Sequence, residues 1–170
     1  MTCVIVNDAS CLIDLRKGRL LPLMLKLPYR FIVPYPIRQD ELLDFTALEW
    51  DMLEAHGLEV YDLLPEQVRE AFAVKGRHPR LTAHDCMCLV TTRCHDAGIL
   101  LTGDRALRNA AQVHDVEVHG VLWIVDELRD KIDGHEAALV EALTIWRNDP
   151  SVFLPENEIL RRLSAFPAPR

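Results

Sequence analysis

Short hydrophobic runs alternate with amphipathic stretches along most of the chain, and glycine, proline and polar turns separate them. The runs predict five β-strands, at residues 3–7, 29–33, 58–61, 99–102 and 116–118. The amphipathic stretches predict helices at 9–17, 20–27, 46–56, 65–74, 83–97, 122–131, 135–146 and 156–163, with one more around Glu41. A further short helix, with Leu107 and Ala111 on one face, is predicted after Gly103. Strands separated by helices favour parallel pairing under two helical layers, which predicts a three-layer α/β/α fold with a mostly parallel central sheet.

Capping signals set the limits of several of these elements. Gly18 is expected to end the first helix. Thr46, with Glu49 three residues later, has the pattern of a capping box, and Thr82 is the expected cap of the helix that follows it. The pattern therefore predicts both the elements and some of their ends.

Two aspartates stand directly after predicted strands. Asp8 follows a β-branched run, and Asp104 follows the apolar run 100–102 through a tight turn at Gly103. The carboxyl ends of parallel strands form the ligand crevice of an open sheet, so both carboxylates should lie at one edge. A charge at the end of a buried strand costs free energy unless a cation or hydrogen-bond donors compensate it.

Asp85 and Glu41 are predicted to lie on helices near that edge. Asp85 would lie in the first turn of its helix, where the helix dipole also favours a carboxylate, and an exposed surface glutamate is the alternative interpretation of Glu41. Mg²⁺ and Mn²⁺ prefer oxygen ligands, so with Asp8 and Asp104 the set predicts a metal site. A bound ion can activate water and stabilise the charge that develops on a phosphodiester, which indicates phosphodiester hydrolysis.

Length and composition indicate one compact domain with its own core. The chain has 170 residues, of which 49% are hydrophobic. It shows no pattern of a signal peptide or of a membrane-spanning segment, so we expect a soluble, cytoplasmic protein without a membrane partner.

The net charge of -7 disfavours a protein that wraps duplex DNA through a broad basic face. A local basic strip over residues 75–80 precedes Asp85, and taken alone it is typical of a solvated surface. Arg105 and Arg108 have a stronger claim to a role in the site because they follow Asp104 directly.

The five cysteines are an odd number in a chain without a secretory signal, which favours reduced thiols. The cluster of His84, Cys86, Cys88, Cys94 and His95 contains zinc-ligand types, but Cys86 and Cys88 would point to different faces of one helix. We interpret these thiols as small core residues and His84 as a polar surface residue.

Four segments carry a family resemblance in their order and spacing. They are VNDASCLIDL (6–15), RQDELL (38–43), LTAHDCMCLV (81–90), and LLTGDRALRNAA (100–111) with VEVHGVLWIV (116–125). Together they resemble a PIN domain over about residues 2–131, and the nearest group they resemble is the VapC-like toxins of bacterial and archaeal toxin–antitoxin pairs.

The resemblance implies a metal-dependent endoribonuclease with RNA as substrate. The implied ligands of Mg²⁺ or Mn²⁺, which are also the implied catalytic residues, are Asp8, Glu41, Asp85 and Asp104. Ser10 and Thr102 would hydrogen-bond a ligand carboxylate, a water or a phosphate, or would simply stabilise a helix start and a turn. Arg105 and Arg108 would hold the RNA backbone, or would pair with nearby acids.

The resemblance also suggests a cognate antitoxin protein as a partner. The PIN-like domain would occupy residues 1–131, and residues 132–170 would form a helical C-terminal extension. A homodimer is a further hypothesis, and its seam would use the apolar helix residues Leu122, Trp123, Val125 and Leu128.

Two departures and two alternatives stay open. Many family members carry a further acid shortly after the fourth ligand, where this chain has Arg105, so a second metal is in doubt; Asn7 replaces an apolar residue without an evident reason. The fold could serve as a binding or regulatory module with a weak or unused metal site. A phosphatase with Asp8 as nucleophile is the weaker alternative, because Ser10 stands where a second aspartate is usual.

Overall fold

The computed structural model describes residues 2–166. The strands are β1 (Val4–Asn7), β2 (Arg30–Pro34), β3 (Leu58–Tyr61), β4 (Gly98–Leu101) and β5 (Glu117–His119). The helices are α1 (Ala9–Lys17), α2 (Leu21–Met24), α3 (Tyr35–Asp40), α4 (Ala47–Ala55), α5 (Pro65–Arg77), α6 (Ala83–Arg93), α7 (Arg105–Val113), α8 (Val121–Lys131), α9 (Glu136–Asn148) and α10 (Glu156–Leu163).

The strands form one parallel sheet in the order β3-β2-β1-β4-β5. Val6 of the central strand pairs with Ile32 on one side and Leu100 on the other. The chain first builds outward from β1 to β3 and then returns to the other side of β1 with β4. The crevice of a doubly wound sheet lies at such a reversal, here at the carboxyl ends of β1 and β4.

Helices cover the sheet in two layers. Helix α6 packs on β1, β2 and β4 and is flanked by α5 and α7, while α1, α2, α8 and α9 pack against one another. The residues of β1 are all buried, as central strands of a parallel sheet require. The predicted α/β/α fold with a parallel sheet is confirmed.

The C-terminal helices dock onto the first helix of the chain. Trp146 of α9 is 1% exposed, and its Nε1–H donates to the backbone oxygen of Asp14 at 2.7 Å. A Cβ at Gly18 would lie 2.8 Å from the indole ring, so the glycine allows the close approach. The division of the chain at residue 131 stays a prediction.

Several element boundaries differ from the prediction, three of them for an evident physical reason. Helix α2 is shorter, because the chain makes tight turns before Pro28, which disfavours helix in the residue preceding it. Helix α6 ends at Arg93, and Gly98 allows β4 to pass the Thr92 carbonyl, where a Cβ would lie 2.3 Å away. Glu41 is the C-cap of α3 rather than a residue within it.

The proposed dimer seam does not form an exposed apolar surface. Val125 and Leu128 are buried in the chain's own core, and Trp123 stacks on Tyr29 and on His119. Across residues 2–166, the structure holds no helix with both the length and the apolar character needed to cross a bilayer.

Candidate metal centre

Asp8 is the buried carboxylate of the site. It occupies the N-cap position of α1, yet its side chain makes no capping bond to that helix. Its Oδ2 instead accepts hydrogen bonds from Ser10 Oγ and Thr102 Oγ1, each at 2.8 Å. Burial raises the pKa of Asp8; the two hydroxyl donors oppose that shift, and the charge of Asp85 adds to it. Hydroxyl groups therefore compensate this charge only in part.

Thr102 connects Asp8 to Asp104. Its Oγ1 donates to Asp8 and accepts a hydrogen bond from the Asp104 backbone N–H at 3.0 Å. Asp104 is the N-cap of α7, and its Oδ1 accepts from the Leu107 N–H at 2.7 Å. Its Oδ2 forms no hydrogen bond with the part of the chain described. One oxygen of this exposed carboxylate thus remains available at the crevice.

Ser10 joins the two strand ends from the other side. The N–H of Gly103, in the turn after β4, donates to Ser10 Oγ at 3.1 Å, while the same hydroxyl donates to Asp8. Ser10 and Thr102 therefore both contact the carboxylate of Asp8, and Thr102 also stabilises the turn that leads to Asp104.

Asp85 reaches the site from the start of α6. It forms a capping box with Thr82: the Asp85 N–H donates to Thr82 Oγ1 at 3.0 Å, and the Thr82 N–H donates to Asp85 Oδ2 at 2.7 Å. The cap fixes Asp85 at the end of α6 that faces the strand ends. Its charge is one of the causes of the raised pKa at Asp8.

Glu41 is held by a histidine. His84 Nδ1 lies 2.7 Å from Glu41 Oε1, and its Nε2 lies 2.9 Å from Asp40 Oδ2. Burial, followed by the charge of Asp8, raises the pKa of Glu41, and His84 acts in the opposite direction. The imidazole thus bridges the end of α3 and the start of α6.

The charges of three of the carboxylates act on one buried thiol, that of Cys88. Burial first, and then the charges of Asp8, Asp85 and Glu41, raise the pKa of Cys88 well above its ordinary value. Cys88 lies on α6 and is fully buried. The three acids, separated by many residues in the sequence, therefore act on the same part of the core.

The candidate ligands are carboxylate oxygens, the type of ligand that hard divalent cations prefer. A bound cation would also reduce the repulsion between Asp8 and the neighbouring charge of Asp85. Within residues 2–166, no three His, Cys, Asp or Glu side chains already surround a common point at metal-ligand distance. Asp85 is engaged in its cap and Glu41 with His84, so metal binding would require these side chains to rotate.

The two arginines after Asp104 differ in their surroundings. Arg105 is exposed, and Arg108 is half-buried with Nη2 donating to the Thr102 backbone oxygen at 3.3 Å. A Cβ at Gly120 would lie 3.0 Å from that Nη2, so Arg108 occupies the space over this glycine. Neither arginine forms an ion pair with an acid among the described residues, which leaves both charges available.

Two polar residues of the site were not identified from the sequence. The sequence pattern favours a surface role for His84, although its position next to Asp85 is compatible with a place in the site. Asn7 is fully buried; its Nδ2 donates to the Ile32 backbone oxygen at 2.9 Å, tying β1 to β2 beside Asp8. Its Oδ1 is buried without a hydrogen-bond partner in the described part of the chain.

The fold and these carboxylates define an α/β domain with an acidic site at the carboxyl edge of a parallel sheet. A PIN domain family model matches residues 4–163, nearly the whole chain, and the chain belongs to this family. PIN domains are typically metal-dependent nucleases, which supports nuclease activity in general terms. A search of curated proteins found no match.

Proposed function

We propose that the chain is an endoribonuclease that hydrolyses RNA phosphodiester bonds with Mg²⁺ or Mn²⁺. The residues proposed to hold the ion are Asp8, Glu41, Asp85 and Asp104. The observation that carries the proposal is Asp8: a carboxylate only 4% exposed, close to the charge of Asp85, and compensated by two hydroxyls and the Ala9 backbone rather than by a cation. Such a group is costly in the absence of a cation, and a divalent ion would turn that cost into binding free energy.

Each residue has a task that follows from its contacts. A bound ion supplies positive charge and lowers the pKa of a coordinated water. Ser10 and Thr102 hold Asp8 in one orientation through its Oδ2. Asp104 offers the oxygen that its helix cap does not use. Arg108, fixed over Gly120, and Arg105, on the exposed first turn of α7, would hold phosphate oxygens of the substrate.

The test is cleavage of a circular single-stranded RNA, which offers no end to an exonuclease. We expect the parent to cut it with MnCl₂ and to leave it intact with a chelator. Asp8→Asn should lower the rate by about 100-fold or more, because one electrostatic contact in the reaction centre is lost. Asp51→Asn, at an exposed position of α4, is the matched control and should cleave like the parent. Equal cleavage by parent and Asp8→Asn would contradict the proposal.

We further propose that the nuclease is the toxin of a type II toxin–antitoxin pair, acts in the cytoplasm and forms a homodimer. The support is the set of VapC-like segments that carry the site residues. A short reading frame beside this gene, encoding a DNA-binding protein that copurifies with the chain and blocks cleavage, is the expected finding. A dimer would need a surface other than α8, whose apolar residues Val125 and Leu128 are buried.

One observation favours a second candidate function. Asp85 and Glu41 are bound to neighbouring groups, and no three ligand side chains in the described ranges already surround one point. A PIN-fold binding or regulatory module with a weak or unused metal site would have this geometry. Titration calorimetry with MnCl₂ separates the two functions, since a protein that takes up no ion at millimolar concentration is not the proposed nuclease.

A further inference from the structure

Most lysines and arginines among residues 2–166 form ion pairs with carboxylates. The cations without such a pair are Lys26, Lys75, Arg77, Arg80, Arg105 and Arg108. All of them except Lys26 lie on the last turn of α5, on the α5–α6 connection or on α7, close in sequence to Asp85 and Asp104. In an acidic protein, the unneutralised positive charge is thus concentrated beside the acidic site.

A groove of about 280 Å³ separates these two segments. Residues 77–81 form one wall, and Ala106, Asn109, Ala110 and Val113 of α7 form the other. Arg77 and Arg80 are both exposed at its rim, and no carboxylate is among the residues that line it. The groove therefore combines positive charge with a small apolar floor.

Both walls of the groove begin close in sequence to residues of the acidic site. Leu81 is followed at once by Thr82, which caps Asp85, and Ala106 lies two residues after Asp104. An RNA strand whose scissile phosphate lies at Asp85 and Asp104 would therefore have its neighbouring phosphates near the groove. Negative charge is therefore concentrated at the crevice and positive charge at the groove. This arrangement suits a polyanion whose scissile phosphate binds at the metal ion held by the acids, while its next phosphates bind the arginines.

We propose that this groove binds the sugar–phosphate backbone of the RNA strand next to the scissile phosphate, with Arg77 and Arg80 as phosphate ligands. This inference rests on the endoribonuclease function proposed above. Arginine forms two parallel hydrogen bonds to a phosphate, and neither Arg77 nor Arg80 is paired with an acid among residues 2–166. A protein partner is less suited to the groove, whose walls lack the aromatic pockets that usually anchor protein interfaces.

The experiment measures binding rather than cleavage, so that it does not depend on turnover. The probe is a fluorescein-labelled single-stranded RNA of about 12 nucleotides, titrated with protein in the Asp8→Asn background at several salt concentrations. The test variant is Arg77→Gln with Arg80→Gln. The matched control is Arg19→Gln with Lys26→Gln, which removes the same charge from exposed positions far from the groove.

The test variant should bind the RNA about 10-fold or more weakly, and its plot of log affinity against log salt should be less steep by about 1.4, or 0.7 for each lost phosphate contact. The control should bind like its Asp8→Asn parent. Equal affinity and slope for test and control variants would overturn the inference, and would leave the nuclease proposal to stand or fall on cleavage of the circular RNA. Loss of binding to a polyglutamate peptide, with RNA binding retained, would identify a protein-docking groove and would also overturn it.

Discussion

Two groups of carboxylates in this protein have opposite electrostatic environments. Asp126 of α8 and Glu158 of α10 share one guanidinium: Arg162, 9% exposed, contacts Asp126 Oδ2 at 2.6 Å and Glu158 Oε2 at 2.9 Å. Hydrogen bonds from Arg162 and then Arg161 lower the pKa of Glu158. At the carboxyl edge of the sheet, burial raises the pKa of Asp8.

This difference distinguishes carboxylates that stabilise the fold from carboxylates that are suited to chemistry. Where α10 docks on the rest of the chain, the polypeptide supplies its own cation, so the carboxylates hold the helices together. At the strand ends the polypeptide supplies hydroxyls and further acids, but no lysine or arginine of the described residues pairs with Asp8. A site built in this way is short of positive charge, which is the condition that a bound metal ion would relieve.

Removing the charge of Arg162, the cation shared by Asp126 and Glu158, should give the largest change in stability. Arg162→Met keeps much of the apolar stem and removes the charge, so that Asp126 and Glu158 lose the buried cation they share. We expect a loss of about 2 kcal/mol in the free energy of unfolding, reduced from the value for a fully buried pair because both acids are partly exposed. The urea midpoint at constant slope measures it.

Arg161→Met is the matched control for that variant. Arg161 contacts the same oxygen of Glu158 at 2.8 Å, but its side chain is 68% exposed. Its loss should therefore cost less than about 0.5 kcal/mol. If both variants lost the same stability, burial would not be what distinguishes Arg162, and the comparison would lose its physical basis.

A smaller effect on stability is expected at Asp14, a partly buried acid with a raised pKa that is not proposed to hold the ion. This residue tests whether burial of a carboxylate is by itself enough to make it part of the site. Burial raises the pKa of Asp14 to about 6, with Lys17 acting in the opposite direction and Asp149 adding to the shift. Since the folded-state pKa is the higher one, the stabilising effect of protonation is full below the unfolded value of about 4 and is lost as pH rises through about 6.

Asp14→Asn should therefore be more stable than the parent by about 1 kcal/mol at pH 8, a figure reduced for partial exposure, with the gain disappearing below about pH 4. Urea unfolding across this pH range measures the difference, with Asp51→Asn as the control of unchanged pH dependence. Cleavage of RNA should be retained, because Asp14 is not one of the four acids proposed to hold the ion, although it lines a cavity with Ser10, Gly103 and Arg108. A parallel loss of cleavage would mean that the acidic site is wider than proposed.

The fold and the acids at the strand ends could be predicted from the sequence, because both follow from local patterns of residues. The apolar runs identified all five strands, and the capping boxes of α4 and α6 form at Thr46 and Thr82 as predicted. Asp8 and Asp104 were identifiable because a charge directly after a buried strand has few explanations.

Contacts between distant segments could not be read in the same way. His84 contacts Asp40 and Glu41 across 44 and 43 positions, and no local pattern encodes such a pairing. The basic strip before α6 was typical of a solvated surface in the sequence. Only the fold places Arg77 and Arg80 across a groove from α7, while most other arginines of the described residues are paired with acids.

The measurement closest to the central claim is the thermal unfolding midpoint of the parent and of Asp8→Asn, each with and without MnCl₂. Without metal, Asp8→Asn should be at least as stable as the parent, because it removes a buried charge that lacks a cation. With metal at about 100 times its dissociation constant, the parent should gain about 2.7 kcal/mol and the variant much less. A midpoint that MnCl₂ leaves unchanged in the parent, or raises equally in both proteins, would contradict the account.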